Sequence, residues 1–150
     1  MLRTTAFFCA AGACLASSVA FAQAEPDNAI KYRQTIYETL GANLTAVVMN
    51  LRGEVEFPDA VAAHARTIAD TAPLVLPAME QNTAGEGSAA TEARDRIWDN
   101  WDDFTSKNRA FEEAAMRLGE AAEGGDMQAI GAEAQAVAET CKSCHDAYRD

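Results

Sequence analysis

The sequence predicts an all-α fold, an antiparallel up-down four-helix bundle, from three observations. Beyond residue 22, apolar residues recur at steps of three and four instead of alternating, which is the spacing of amphipathic helices. Alanine is abundant in that part of the chain and β-branched residues are sparse. The length of 150 residues suits one domain, and four segments of about 20 residues with mostly short connections suit a bundle.

Residues 1–22 are predicted to be a signal peptide that is cleaved. Arg3 supplies the positive charge at its start, the stretch 6–15 is apolar, and small alanines precede a cleavage site after Ala22. Cleavage after Ala24 is the alternative. The apolar stretch is shorter than the roughly 20 residues that span a bilayer, so we expect export to the periplasm and no membrane anchor.

The first predicted helix begins at Pro26, because proline suits the first turn of a helix, and it ends before Gly53. Its apolar face follows alternating steps of three and four through Ile30, Arg33, Tyr37, Leu40, Leu44, Val47 and Leu51. The second helix begins at Pro58 and has the same spacing at Val61, Ala65, Ile68, Ala72, Val75 and Met79. Pro73 and Pro77 are expected to bend it or end it early.

Residues 81–91 are predicted to be a polar loop that contains glycine. An aromatic cluster of Trp98, Trp101 and Phe104 precedes the third helix, which has apolar positions at Phe111, Ala115, Leu118 and Ala122. Gly124-Gly125 ends this helix, and Asp126 is expected to cap the fourth. The fourth helix repeats the alternating steps at Met127, Ile130, Ala134, Val137, Cys141, Cys144 and Tyr148.

The charge of the chain limits its partners. It has 12 Lys and Arg against 23 Asp and Glu, a formal charge of −11, and loss of Arg3 with the signal peptide leaves −12 on the predicted mature domain, 23–150. Nucleic acid is excluded as a partner, because phosphate binding needs clustered Lys and Arg. A charged protein partner is expected to be basic.

The mature chain would keep one close pair of cysteines. Cys9 and Cys14 lie in the predicted signal peptide, which leaves Cys141 and Cys144. A disulfide framework in a secreted protein needs several separated pairs, so this pair is expected to have a local role. With His145 it forms the sequence C-x-x-C-H, the attachment motif of c-type haem.

The spacing of this motif follows from its chemistry. Both thiols add to the haem vinyl groups, and the imidazole of the next residue coordinates the iron. On a helix, Cys141, Cys144 and His145 lie at i, i+3 and i+4, so they leave one face together. That face is the apolar face of the fourth helix, which predicts one covalent haem c per chain inside the bundle, near the C-terminal helix.

Two other interpretations of the cysteine pair fit less well. A thioredoxin-like C-x-x-C lies at the start of a helix, where the helix dipole lowers the thiol pKa, whereas this pair lies in the last turns of one. A zinc site needs four ligands. The mature chain offers only Cys141, Cys144, His145 and His64, the last of them on another segment.

A haem motif on the fourth helix of a small exported bundle resembles the class II c-type cytochromes, especially cytochrome c′, which is itself a standard example of the up-down bundle. The most specific shared stretches are Cys-Lys-Ser-Cys-His-Asp-Ala-Tyr-Arg at 141–149, Ile-Lys-Tyr-Arg-Gln at 30–34 and Ile97-Trp98. The resemblance implies a periplasmic protein with covalent haem c and one protein axial ligand. It also implies binding of NO and CO, and homodimers through the first two helices.

The resemblance implies roles at the haem for the thioether anchors Cys141 and Cys144, the axial ligand His145, the propionate-side residues Arg33 and Gln34, the haem contact Glu92 and the proximal-side residue Arg149. Arg33 also has support from its position alone. It occupies a core-facing place in the first helix, where a charge needs a partner, and the haem propionates would supply one. The alternative is an arginine whose side chain extends along the helix to solvent.

The far side of the iron decides the function. Low-spin relatives of the same class place a Met on the first helix as the second axial ligand, and the matching residue here is Tyr37. Met49, the nearest Met on that helix, is about 18 Å further along, which is too far to ligate the same iron. We therefore expect an open distal site covered by Tyr37, whose alternative role is ordinary core packing. The remaining methionines are interpreted as core or helix-end residues, namely Met79, Met116 and Met127.

The main functional hypothesis is a non-enzymatic haem protein that binds small diatomic gases (NO, CO) and takes part in electron transfer. The alternative is a low-spin class II electron carrier with a second axial ligand, for which the acidic surface would attract a basic redox partner. An open site favours gas binding, because a carrier usually has both axial positions filled. A peroxidase would need a distal acid–base pair, and none is evident near Tyr37.

Overall fold

The computed structural model describes residues 23–150, and the predicted signal peptide lies outside them. The helices are α1 (Pro26–Leu51), α2 (Pro58–Thr71), α3 (Val75–Met79), α4 (Arg96–Asp99), α5 (Trp101–Gly124) and α6 (Met127–Tyr148), with a 3₁₀ turn at Ala72–Leu74. Apart from one isolated bridge, the described part of the chain contains no β-structure. The all-α prediction is confirmed, and the long helices α1, α2, α5 and α6 form a four-helix bundle.

The ends of the long helices follow the predicted boundaries. α1 spans the predicted Pro26–Leu51. The second helix is interrupted at Pro73, where a 3₁₀ turn separates α2 from α3, because proline cannot continue the α-helical hydrogen bonds. Gly125 ends α5 in the left-handed conformation, with φ at 72°. Asp126 caps α6 by accepting bonds from the backbone N–H groups of its first turn.

Consecutive long helices pack side by side, α1 on α2, α2 on α5 and α5 on α6. α2 and α5 approach closely at Gly119, where an added Cβ would lie 3.3 Å from the Cβ of Ala69. The buried core takes side chains from every long helix, including Val47, Val61, Ile68, Phe104, Leu118, Ile130 and Val137. None of the helices within 23–150 is long and apolar enough to cross a bilayer.

The predicted loop is irregular but firmly attached to α1. Asp27, in the first turn of α1, accepts hydrogen bonds from the Ser88 N–H (2.6 Å), the Ser88 hydroxyl (2.8 Å) and the Ala89 N–H (2.9 Å). Gly87 has a φ of 76°, and a Cβ at this position would collide with the Asp27 carboxylate. The loop therefore lies tightly against the start of the bundle.

The far end of the same loop is attached to the end of α6. Arg94 N–H donates to the Tyr148 carbonyl, and Asp150 N–H donates to the Glu92 carbonyl, both at 2.9 Å. These bonds flank the isolated antiparallel bridge between Ala93 and Arg149. The segment 80–95 thus connects α1 with the C-terminal end of α6. We call this segment the strap.

Candidate haem site

A cavity of about 690 Å³ lies between α1, α5, α6 and the strap. This volume is within the range of roughly 300–1,000 Å³ that is usual for cofactor sites. Its walls include the apolar side chains of Ile30, Leu40, Leu44, Phe104, Phe111 and Val137. Every site residue predicted from the sequence lines this cavity, namely Arg33, Gln34, Tyr37, Glu92, Cys141, Cys144, His145 and Arg149.

Cys141, Cys144 and His145 all border the cavity from the last turns of α6, as their spacing predicts. The two thiols are free and partly buried. Burial raises the pKa of Cys141. Burial is also the main cause of the raised pKa of Cys144, about 11, and the neighbouring Cys141 contributes to it. Both thiols are therefore protonated at neutral pH, unlike the reactive thiolate of a thioredoxin-like site.

The imidazole of His145 is exposed at the edge of the cavity. Desolvation lowers its pKa, and the adjacent Arg149 lowers it further. A neutral imidazole keeps a lone pair on one ring nitrogen, which is the form that coordinates iron. His64 does not line this cavity; its Nδ1 lies 2.8 Å from Oδ1 of Asn43, which joins α2 to α1. Within residues 23–150 no three His, Cys, Asp or Glu side chains assemble into a metal site.

Arg33 is only 3% exposed, so the alternative of a side chain that reaches solvent is wrong. Its guanidinium donates to Oγ1 of Thr83 at 2.6 Å and to the Gln81 carbonyl at 3.4 Å, and it lies 5.4 Å from the ring centre of Trp98. Burial lowers the pKa of Arg33, but a guanidinium remains charged at neutral pH. None of the carboxylates in the described part of the chain pairs with it.

Gln34 and Tyr37 continue the α1 wall of the cavity. Nε2 of Gln34 donates to the Ala90 carbonyl at 2.8 Å and so ties the strap to α1 beside the cavity. Tyr37 is 39% exposed and lines the cavity, while its neighbour Ile36 is buried in the core. Ile30, Arg33 and Leu40 on the same predicted face of α1 are buried as expected. The prediction that Tyr37 occupies a buried core position is therefore wrong, although the residue does line the cavity.

The phenol of Tyr37 is neutral at physiological pH. Desolvation raises its pKa above the ordinary value, and the nearby Cys144 adds to this, while the positive charge of Arg33 acts in the opposite direction. A neutral phenol is a hydrogen-bond donor as well as an acceptor. The α1 wall therefore offers the cavity one buried cation, one amide, one neutral hydroxyl and the side chain of Glu38.

Glu92 and Arg149 bind each other at the rim of the cavity. Nε of Arg149 donates to Oε2 of Glu92 at 2.6 Å, and the second guanidinium nitrogen forms an ion pair with the same oxygen. Both side chains also line the cavity. They close the strap against the end of α6 on the side where His145 lies.

Sequence reasoning missed several polar residues of the site. Thr83 is only 5% exposed. It lies in the strap, whose polar composition does not indicate that any of its side chains is buried. Asp103 binds the hydroxyl of Tyr148, and Asn108 lines the cavity from α5 while donating to Glu112. These contacts join residues that are far apart in sequence or that share one helix face, so no local sequence motif predicts them.

The cavity fits a haem in three respects. It is apolar on most sides and large enough for a flat macrocycle. Two neutral thiols and an imidazole face it from one side of α6. The buried Arg33 has an unneutralised charge beside it, and a haem carboxylate is a suitable partner for that charge.

The chain is similar to known proteins over most of its described length. The family model for cytochrome c′ matches residues 28–149. Cytochrome c′ of Rhodospirillum rubrum is 33% identical over 140 residues, 93% of this chain and 94% of that protein, and cytochrome c′ of Allochromatium vinosum is 34% identical over 140 residues, 90% and 88% of the two chains.

Solved structures are similar over the same region. The crystal structure of cytochrome c′ from Rubrivivax gelatinosus has a TM-score of 0.77 at 25% identity, covering 84% of this chain and 98% of that chain. A variant of cytochrome c′ from Alcaligenes xylosoxidans, solved as its nitric oxide complex, has a TM-score of 0.73 at 28% identity and covers 86% and 98% of the two chains.

Proposed function

Because the chain belongs to the cytochrome c′ family, whose members bind covalent haem c, we propose that it is a periplasmic gas-binding protein whose iron has His145 as its only protein ligand. NO and CO are the proposed ligands. The observation that carries the proposal is that Tyr37, and no methionine of α1, lines the cavity from that helix. The family resemblance matches Tyr37 with the ligating Met of low-spin relatives. The nitric oxide complex of the Alcaligenes xylosoxidans protein supports the same chemistry.

Attachment is assigned to the two thiols. Each thiol of Cys141 and Cys144 adds across one vinyl group, so that a carbon–sulfur bond forms and the thiol proton moves to the neighbouring vinyl carbon. No atom leaves, and no oxidant is needed. The i, i+3 spacing on α6 presents both sulfurs to one edge of the macrocycle.

The other residues hold and screen the site. When bound, the haem supplies an iron that takes up a diatomic ligand and changes oxidation state. His145 would donate its lone pair from α6, and Arg33 and Gln34 would hold the propionates from α1. Glu92 and Arg149 bind each other at the rim and would close the site there. The ring of Tyr37 lines the cavity from α1 and would screen a bound iron from water.

A second candidate function, the low-spin electron carrier, has one observation in its favour. Met79 is buried and lines the cavity from α3, so a thioether is present at its wall. Met79 also packs in the hydrophobic core, and its carbonyl accepts a bond from Nε1 of Trp98 at 2.9 Å, which accounts for its position without an iron. Gas binding is therefore the better-supported function.

Absorption spectroscopy of the purified protein tests the proposal. We expect a high-spin ferric spectrum, a shift of the ferrous spectrum on adding CO, and a mass that includes one haem. Replacing both anchors (Cys141→Ser with Cys144→Ser) should remove the covalent mass increment. A low-spin spectrum with a methionine-to-iron charge-transfer band would contradict the open site, and loss of that band in Met79→Leu would identify the carrier.

Location, assembly and partners belong to the same proposal. The predicted signal peptide supports export to the periplasm, where haem is attached to C-x-x-C-H sequences. Family resemblance supports a homodimer through α1 and α2. The formal charge of −12 after cleavage supports a basic protein as redox partner during electron transfer. We propose no enzymatic turnover: among the described residues that line the cavity, His145 is the one histidine, and it is assigned to the iron.

A further inference from the structure

The guanidinium of Arg33 is bound by Thr83, Gln81 and Trp98, none of which lines the cavity. Thr83 accepts from one terminal nitrogen at 2.6 Å, and the Gln81 carbonyl accepts from the other at 3.4 Å. Trp98 lies against the guanidinium, with 5.4 Å between the ring centre and the central carbon. Arg33 lines the cavity, whereas Thr83 lies behind it, outside the cavity wall.

These contacts fix the direction of the side chain without neutralising it. A guanidinium has five N–H donors in one plane, and two of them are used on the strap side. A hydroxyl and a carbonyl carry no net charge, so the positive charge remains available to the cavity. Fixing an arginine side chain lowers its rotamer entropy, and here the contacts with the strap already fix it before a ligand binds.

Trp98 and Thr83 are themselves held in place. Nε1 of Trp98 donates to the Met79 carbonyl at 2.9 Å, and the Thr83 carbonyl accepts from the Glu86 N–H at 3.1 Å. Thr83 is 50 residues from Arg33 in sequence, so the contact is a tertiary one between the strap and α1. The strap thus supplies both hydrogen-bond acceptors of the Arg33 guanidinium.

We propose that Thr83 is a positioning residue that directs the Arg33 guanidinium at a haem carboxylate and thereby sets the reduction potential of the iron. This inference rests on the proposed function, because it needs the haem in the cavity. A carboxylate that is paired with a cation makes the electrostatic potential at the iron less negative than an unpaired carboxylate does. Removal of the Thr83 hydroxyl lets the guanidinium move, exposes the iron to more of the carboxylate charge, and favours the ferric state.

The test compares Thr83→Val, which keeps the shape and removes the hydroxyl, with Thr83→Ser, which keeps the hydroxyl. The measurement is the midpoint potential of the haem-loaded protein by spectroelectrochemistry. In Thr83→Val we expect the ferrous-to-ferric ratio at a fixed potential to fall about threefold. For a one-electron couple this corresponds to a midpoint potential that is lower by about 30 mV. Arg33→Gln should lower the potential further, and Thr83→Ser should stay near the wild-type value.

Thr105→Val is the matched control. The Thr105 hydroxyl on α5 is also buried, but it has no hydrogen-bond partner among the described residues and does not line the cavity. Its replacement should leave the potential unchanged. Free energies of unfolding, measured for all variants, separate a general loss of stability from a specific change at the iron.

Three results would overturn the inference. They are an unchanged potential in Thr83→Val beside a lowered one in Arg33→Gln, an equal change in Thr83→Ser, or an equal change in Thr105→Val. If Thr83→Val does not fold, Thr83→Ala gives the same comparison with Thr83→Ser. Failure of the proposed function is distinguishable, because the wild type would then lack covalent haem or show no spectral response to CO.

Discussion

The hydroxyl of Tyr148 donates to Oδ2 of Asp103 at 2.6 Å, which joins the last turn of α6 to the first turn of α5. The ring of Tyr148 lies edge-on to Phe104, with 5.5 Å between the ring centres. Burial and the hydrogen bond to Asp103 together raise the pKa of Tyr148 to about 12, so the phenol stays a donor at physiological pH. This contact fixes the end of α6, three residues after His145.

Replacing Tyr148 with Phe should therefore weaken the fold. The change keeps the ring contact and removes the hydrogen bond, so the free energy of unfolding should fall by about 1 kcal/mol. Urea unfolding followed by circular dichroism measures the change. Tyr32→Phe is the matched control, because Tyr32 is 57% exposed on α1, and it should change the stability little. Equal effects of the two substitutions would show that the Tyr148 hydroxyl does not stabilise the fold.

Asp27 should make the attachment of the strap depend on pH. The Ala89 and Ser88 backbone N–H groups, followed by the Ser88 hydroxyl, lower its pKa below 3.8 in the folded state. A lowered folded-state pKa means that the contribution is complete above pH 3.8 and is lost as the pH falls through the folded-state value. The protection factors of the Ser88 and Ala89 amides, which are corrected for the intrinsic pH dependence of hydrogen exchange, should therefore fall in strong acid.

Asp27→Asn should give fast exchange at those two amides already at pH 7, because the amide is a weaker acceptor than the carboxylate. Asp59→Asn is the matched control, since Asp59 lies in the first turn of α2 as Asp27 does in α1. That variant should leave the exchange at Ser88 and Ala89 unchanged. Slow exchange in Asp27→Asn would exclude the carboxylate as the anchor of the strap.

Gly87→Ala should destabilise the protein more than Gly85→Ala. Both glycines have positive φ, 76° and 69°, so both alanine variants carry the same backbone strain. An added Cβ at Gly87 meets Asp27 and Pro26, whereas nothing lies within 4 Å of one at Gly85. The difference in the free energy of unfolding should be about 1 kcal/mol, the usual cost of overpacking. Identical stabilities would mean that the strap moves away from α1 without cost.

If the ring of Tyr37 covers the iron as proposed, Tyr37→Ala should open that side of the cavity and increase the association rate of CO by about tenfold. Flash photolysis of the ferrous CO complex measures this rate. Tyr37→Phe keeps the ring and loses the hydroxyl, so it separates screening from hydrogen bonding, and Tyr32→Ala serves as a control outside the cavity. A CO association rate that Tyr37→Ala leaves unchanged would remove Tyr37 from the distal site.

Local chemistry made some features predictable from the sequence. Pro26, Pro73 and Asp126 mark helix boundaries because their effects act within one turn, and the structure confirms all three. The C-x-x-C-H motif predicts a shared helix face for the same reason, and its side chains do border one cavity. Apolar residues that recur with the 3.6-residue period of the α-helix predict the long helices, and their apolar faces predict the bundle.

The remaining features depend on how distant segments meet. Nothing in the sequence around Thr83 indicates that it is buried against Arg33, because that depends on the path of the strap. The burial of Ile36 and the partial exposure of Tyr37 also depend on where the neighbouring helices leave a cavity beside α1. Side-chain partners such as Asp103 likewise follow from packing, not from spacing.

The bonds between the strap and residues 148–150 close a long loop of the chain. Arg94 and Asp150 are 56 residues apart in sequence, so their contact requires α5 and α6 to fold back onto the strap. The rim of the cavity at Glu92 and Arg149 therefore depends on the whole second half of the bundle, and a disturbance at the turn between α5 and α6 should be transmitted to it.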